Sequence, residues 1–291
     1  MKQKEIKINR GIAINREVQT GRCLLHRREA RRECSQCLDK WLIAICFAWM
    51  IIAPVQANET PFSKNETWNY IIRYKYGLVV MKAGSGLYQL QKANYKGEPA
   101  IKSSLNFKTN SFFDKLLMVR DTLTAYATLP DFIPLYQHRV LNEGNTHFTD
   151  EMWTQKFGKD YTEMRVKRIQ EGEVRMDTII TASNAGYDFV NVFLYFRQLD
   201  YSSLNPGDKL YITTFMGNKK TNFIIRYVKP TLLERSNKQQ NNAFHLAIDI
   251  SNEVFSEAKS AMEVWISDDE YQIPLKIRAK LKIGAVEIEL M

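Results

Sequence analysis

The sequence predicts an all-β-dominated protein, a large curved antiparallel sheet or open barrel with one packed helix. Three observations carry this reading. Apolar and polar residues alternate with period two in run after run between Trp68 and Leu290, the mark of half-buried antiparallel strands. Glycine-containing turns separate those runs at the spacing of a meander. One stretch, Tyr187–Leu199, changes to a helical period. There is no βαβ alternation, internal repeat or low-complexity segment.

The first strand is WNYIIRYKY, with Trp68, Tyr70, Ile72, Tyr74 and Tyr76 on one face and Asn69, Arg73 and Lys75 on the other. Gly77 and Gly84-Ser85-Gly86 interrupt the pattern. A second strand is therefore expected over Leu87–Tyr95 and, past Lys96-Gly97, a third over Ile101–Phe107. Leu116–Thr128 follows, then a corner at Pro130 and Pro134. Arg139–Leu141, Thr146–Phe157, Tyr161–Gln170 and Val174–Thr181 are successive strands around Gly144, Gly158 and Gly172. In YDFVNVFLYFRQL, Phe189, Val192, Phe193 and Phe196 recur at helical spacing, and Asp188 is placed to cap the start. Asn205-Pro206-Gly207-Asp208 ends that element with a turn. Lys209–Met216 and Asn222–Val228 make a hairpin, and Leu232–Asn242 reads as a polar loop. Phe244–Ile250, Ala261–Ser267, Ile273–Leu281 and a closing AVEIELM bring the total to about a dozen strands.

The N-terminus sets the domain organisation and the expected address. The apolar run Trp41–Val55 follows Asp39-Lys40 and precedes Val-Gln-Ala, the layout of a signal peptide with cleavage between Ala57 and Asn58. The run is shorter than the roughly 17–25 residues of a spanning helix, so no transmembrane span is expected in the mature chain. Residues 1–40 form an atypically long leader, which points to a mis-assigned start with translation beginning near Leu38. Residues 41–57 are the signal h-region and cleavage site, 58–67 a flexible tail, and 68–291 a single β-rich domain. All four cysteines, Cys23, Cys34, Cys37 and Cys46, precede the cleavage site, so core packing must hold the fold without disulfides. Cys23-x-x-His26 with Cys34-x-x-Cys37 has zinc-like spacing. The intervening RREARRE is short and cationic, however, and no apolar residue flanks it to build a mini-core. Ile45 before Cys46 does not suit a lipid-anchor motif. The expected location is the periplasm.

Charge argues against nucleic acid as a partner. The formal net charge is +9, but the leader alone contributes +6 and the remainder is near-balanced. No P-loop, dinucleotide fingerprint, GxSxG or HExxH is present, and neither a cofactor nor a metal is expected. Asp121, Asp188, Asp208, Asp268 and Asp269 are the carboxylates that stand out; for most of them local capping and turn bonds are the simpler role. Arg197, on an otherwise apolar helix beside Tyr195, needs an enclosed carboxylate partner, and Asp121 in VRDTLTAY is the candidate. Alternate aromatics such as Tyr70, Tyr74 and Tyr76 can line a concave apolar wall on a curved sheet. Tyr70, Tyr74, Tyr76, Asp121, Tyr195, Arg197 and Trp265 are therefore the expected ligand-binding residues, and no catalytic residue is assigned.

Four stretches together carry a family resemblance. They are YIIRYKYGLVVMKAGSG, VRDTLTAYATLPDFIP, DFVNVFLYFRQLDYSSLNPGD and WISDDEYQIPLKIRAKLKIGAVEIEL. In their order and spacing the chain resembles the exported bacterial proteins grouped as domain of unknown function 3108. The resemblance implies an exported, β-rich single domain and supplies no catalytic residues. The expected function is non-enzymatic binding or envelope maintenance, with a lipid or another apolar or amphipathic envelope ligand in the concave face. The alternatives are a carboxylate-dependent enzyme acting on envelope glycans, or a structural partner of an envelope protein complex through strand addition.

Overall fold

A computed structural model describes residue 62 and residues 64–251 and 258–291. The leader with its Cys/His spacing, the h-region, the Ala57/Asn58 cleavage site and residues 58–61 and 63 of the expected tail lie outside the described residues.

Fifteen strands form one sheet. The first eight are β1 (Glu66–Tyr76), β2 (Val79–Tyr95), β3 (Glu98–Thr109), β4 (Arg120–Thr128), β5 (Pro134–Glu143), β6 (Thr146–Phe157), β7 (Thr162–Gln170) and β8 (Glu173–Ala182). These make an antiparallel meander. A short β9 (Gly186–Asp188) runs parallel to β10 (Lys209–Met216). A second meander continues through β11 (Lys219–Glu234), β12 (Gln240–Ser251), β13 (Ala258–Ser267), β14 (Pro274–Lys280) and β15 (Ala285–Leu290). β15 returns to β1, pairing Tyr70 with Leu290 and Lys75 with Ala285, so the two meanders become one sheet.

The two edges of the sheet, β8 and β9, come close without sharing a ladder. Thr162 at the start of β7 bridges the gap, its Oγ1 donating to Asn184 O at 2.9 Å and accepting from Gly186 N at 2.9 Å. Phe215 of β10 is fully buried against Met152, Met164 and Val166 of the first meander. A Cβ on Gly186 would lie 2.4 Å from the Phe215 ring, so glycine is what lets the edges approach. The result is a nearly closed barrel, as the alternation predicts.

The helical segment lies between the two walls. It is shorter than the sequence period implies: α2 is Val192–Phe196, preceded in the chain by a four-residue α1 (Ser111–Asp114). Tyr187 and Asp188 are drawn into the β9–β10 pairing instead. Asp188 still caps the turn, its Oδ1 accepting from Val190 N and Asn191 N, both at 2.9 Å. Val192 and Phe196 pack on the β10–β13 wall, while Val190 and Leu194 pack on the β1–β4 wall. A helix apolar all round must be buried all round, and this one is a plug inside the barrel.

Two expectations are corrected. Gly84-Ser85-Gly86 does not break a strand: β2 runs through it. A Cβ on Gly84 would sit 2.2 Å from Lys108 O, so this glycine serves the approach of β3 rather than a turn. Leu232–Asn242 is mostly strand, with β11 and β12 paired from Asn222↔Ser251 out to Glu234↔Gln240. Its polar residues stand on the exposed part of that hairpin, which hides the period-two signal.

Candidate functional site

One pocket opens between the plug and the barrel wall. Trp68 and Tyr70 of β1, Tyr88 of β2 and Phe107 of β3 form one side. Pro274 and Ile277 of β14 with Ile288 of β15 form another, and Phe193 of α2 closes it from within. Gly86 of β2 contributes no side chain, and a Cβ there would meet the Phe107 ring at 3.4 Å. The cavity itself is small, about 30 Å³. The lining is aromatic and aliphatic apart from one charged group, Arg197.

Arg197 follows α2 as its C-cap residue, and its side chain is 1 % exposed. The guanidinium donates to both carboxylate oxygens of Glu66, at 2.7 and 3.1 Å, and through Nε to Tyr271 O at 2.8 Å. It also lies over the Phe62 ring at 4.4 Å. Glu66 accepts in addition from Trp68 Nε1 at 3.1 Å. Such a fork-to-fork pair satisfies both charges where neither can reach water. Hence the one charged group at the pocket is already neutralised, and the site carries no net charge.

Two phenols complete the site. Tyr70 donates to Pro274 O at 3.1 Å and Tyr88 to Ser103 Oγ at 3.4 Å. Burial pushes the Tyr88 hydroxyl up to about 12 and raises Tyr70 further still, so both stay neutral hydrogen-bonding groups.

The structure therefore brings together only two of the residues expected from sequence, Tyr70 and Arg197. Asp121 is not the partner of Arg197: it lies on β4 and accepts from Asn142 N of the neighbouring β5 at 3.0 Å, while Arg197 is held by Glu66. Tyr74 donates to Ile283 O at the end of the barrel, and Tyr76 is 60 % exposed. Tyr195 packs on Tyr187 at 4.9 Å, and Trp265 stacks flat on His245 at 4.7 Å; neither lines the pocket. Sequence reasoning missed Glu66, Trp68, Tyr88, Phe107 and Phe193. For Glu66 a signal exists, because it precedes Trp68 and Tyr70 in the same alternation.

A second, charged cluster lines the β4–β7 wall. Asp150 is 1 % exposed and holds Arg168 through two bonds of 2.7 and 2.8 Å, with Arg139 at 3.7 Å. Arg168 also covers the Phe148 ring at 3.8 Å. Glu143 nearby is raised above the usual carboxylate range by burial and by Asp121 beside it. Among the described residues, no three His, Cys, Asp or Glu side chains converge as a metal site.

A family model described as "Protein of unknown function (DUF3108)" matches residues 69–291. No curated protein matches the chain. Among solved structures, the chain is similar to a beta-barrel-like protein of the domain of unknown function DUF1849 from Brucella abortus. The TM-score is 0.53 at 8 % identity, over 80 % of this chain and 97 % of that one. At that identity the likeness shows the barrel-like fold alone.

Proposed function

This chain belongs to that family of unknown function, and from that premise we propose that it is an exported periplasmic protein that binds an apolar or amphipathic small molecule without chemistry of its own. The observation that carries the reading is the pocket: aromatic and aliphatic walls around a cavity of about 30 Å³, with its one charged group, Arg197, already neutralised by Glu66. Ligand pockets typically hold roughly 300–1,000 Å³ behind apolar walls with a few placed polar groups, so this one must widen to take a whole ligand. A site without net charge selects against a bare anion and suits a chain or ring with at most a neutral polar end. The cavity fits a chain end, and a longer ligand requires Phe193 and α2 to shift. Export rests on the Trp41–Val55 run with the Ala57/Asn58 junction.

The test is titration with a fluorescent polyene alcohol, an apolar chain with a neutral polar end. The wild type is expected to bind it saturably, and Gly86→Val, which fills the pocket, to bind roughly tenfold or more weakly. Equal binding by a folded Gly86→Val protein would place the ligand elsewhere. The envelope-glycan enzyme reading has one observation in its favour, the neighbouring carboxyls of buried Asp121 and half-buried Glu143. It predicts sugar release that Glu143→Gln abolishes.

A further inference from the structure

One end of the barrel carries an apolar rim that the pocket does not use. The connections β1–β2, β3–β4 and β14–β15 all lie at that end, because each follows an odd-to-even or returning strand of the same antiparallel sheet. The strands behind the β1–β2 tip link them to one another. Asn110 N donates to Ala83 O at 2.9 Å, Tyr74 and Phe113 rings lie 6.3 Å apart, and Tyr74 donates to Ile283 O at 3.1 Å. The next turn, between β5 and β6, joins them through Gly144 N to Met118 O at 2.8 Å.

Each connection presents large apolar side chains to solvent. Leu78 at the β1–β2 tip is 101 % exposed, with Val79 and Val80 half exposed behind it. In the β3–β4 connection Phe112 is 59 % and Leu116 75 % exposed, and Ile283 of the β14–β15 turn is 66 % exposed. Single exposed apolar residues need no explanation, but a contiguous set on neighbouring tips marks an interaction surface. Lysines are interleaved with it: Lys82, Lys108, Lys115, Lys280 and Lys282 are all exposed. The nearby carboxylate of Asp114 is taken up by Arg120, with bonds of 2.7 and 3.0 Å.

We propose that this end of the barrel docks on an anionic phospholipid surface, with the apolar tips at the headgroup–acyl boundary and the lysines on the phosphates. Apolar tips ringed by lysine match the way interfacial segments bind, by shallow burial plus attraction to anionic lipid. A protein partner fits less well, because lysine is depleted in protein–protein interfaces. The inference stands whether or not the pocket takes a ligand, since none of the rim residues lines it.

The experiment is co-sedimentation of the protein, produced from the full chain, with vesicles of equal parts phosphatidylcholine and phosphatidylglycerol, and with pure phosphatidylcholine. Binding is expected to the anionic vesicles only and to fall steeply as salt is raised. Leu78→Asp with Leu116→Asp, and separately Lys82→Glu with Lys115→Glu, are each expected to weaken it roughly tenfold or more with an unchanged melting curve. All four positions are exposed, so the fold does not depend on them, and the lysine pair provides an independent reading if the apolar pair fails to fold. No binding, equal binding to neutral vesicles, or undiminished binding by the folded variants would overturn the proposal. The last result includes the case in which a retained apolar leader does the binding, because every variant carries the same leader.

Discussion

Replacing Arg197 by alanine tests the connection between the plug and the wall. The wild-type pair is enclosed, with side-chain exposures of 1 % for Arg197 and 8 % for Glu66, and it ties α2 to the first residue of β1. Alanine removes two bonds to Glu66, one to Tyr271 O and the stack on Phe62. Among the described residues it leaves the buried carboxylate with Trp68 Nε1 and Phe62 N as donors. Breaking one partner of a buried pair costs about 3–5 kcal/mol. For a domain of this size each kcal/mol lowers Tm by about 2–4 °C, so a fall of roughly 10 °C is expected. Thermal and urea unfolding followed by circular dichroism measure it. Glu66→Gln with Arg197→Met should recover part of the loss, because the orphaned charge goes with its partner. The exposed pair Arg165–Asp177 is the control: its bonds are as short, at 2.6 and 2.8 Å, yet Arg165→Ala should leave Tm unchanged. An Arg197→Ala protein that melts with the wild type would refute the reasoning.

Two further predictions concern the frame of the barrel. Gly84→Ala should cost about 1–3 kcal/mol in urea unfolding, because its Cβ meets the Lys108 carbonyl at 2.2 Å; Gly158→Ala, with its nearest contact at 3.5 Å, should be near neutral. Asp188 is pushed up to about 6 by burial, against 3.8 when exposed, although four N–H donors from Gln137, Val190 and Asn191 partly offset that cost. A carboxyl raised on folding stabilises fully below about 3.8 and loses that contribution as pH rises through about 6. Relative to Asp188→Asn, the wild type should therefore lose on the order of 3 kcal/mol between pH 4 and 7; a constant difference across that window would contradict the assignment.

The barrel is legible in the sequence because its code is local. Trp68, Tyr70 and Lys75 announce β1 through alternation alone, and the same holds for β6, β7 and β10. What the sequence hides is non-local. Gly84 reads as a turn until Lys108 is seen against it, and Tyr187-Asp188 read as helix until β10 claims them. The pocket is assembled from β1, β2, β3, β14, β15 and α2, so no window contains it. Arg197 correctly signals an enclosed cation, but its partner lies 131 residues away in a segment whose polarity suggests a loose tail. The aromatics Tyr70, Tyr74 and Tyr76 share a face in sequence, yet a register shift between Ile72 and Arg73 accompanies their separation, one into the pocket and two toward the rim.

The central claim, an apolar ligand in the Trp68–Arg197 pocket, is tested most directly by native mass spectrometry of the protein purified gently from the cells that make it. The account predicts a reproducible excess mass that denaturation releases as an apolar or amphipathic molecule, and that Gly86→Val removes. A bare monomer mass for the wild type, or an adduct that survives in folded Gly86→Val, would contradict it.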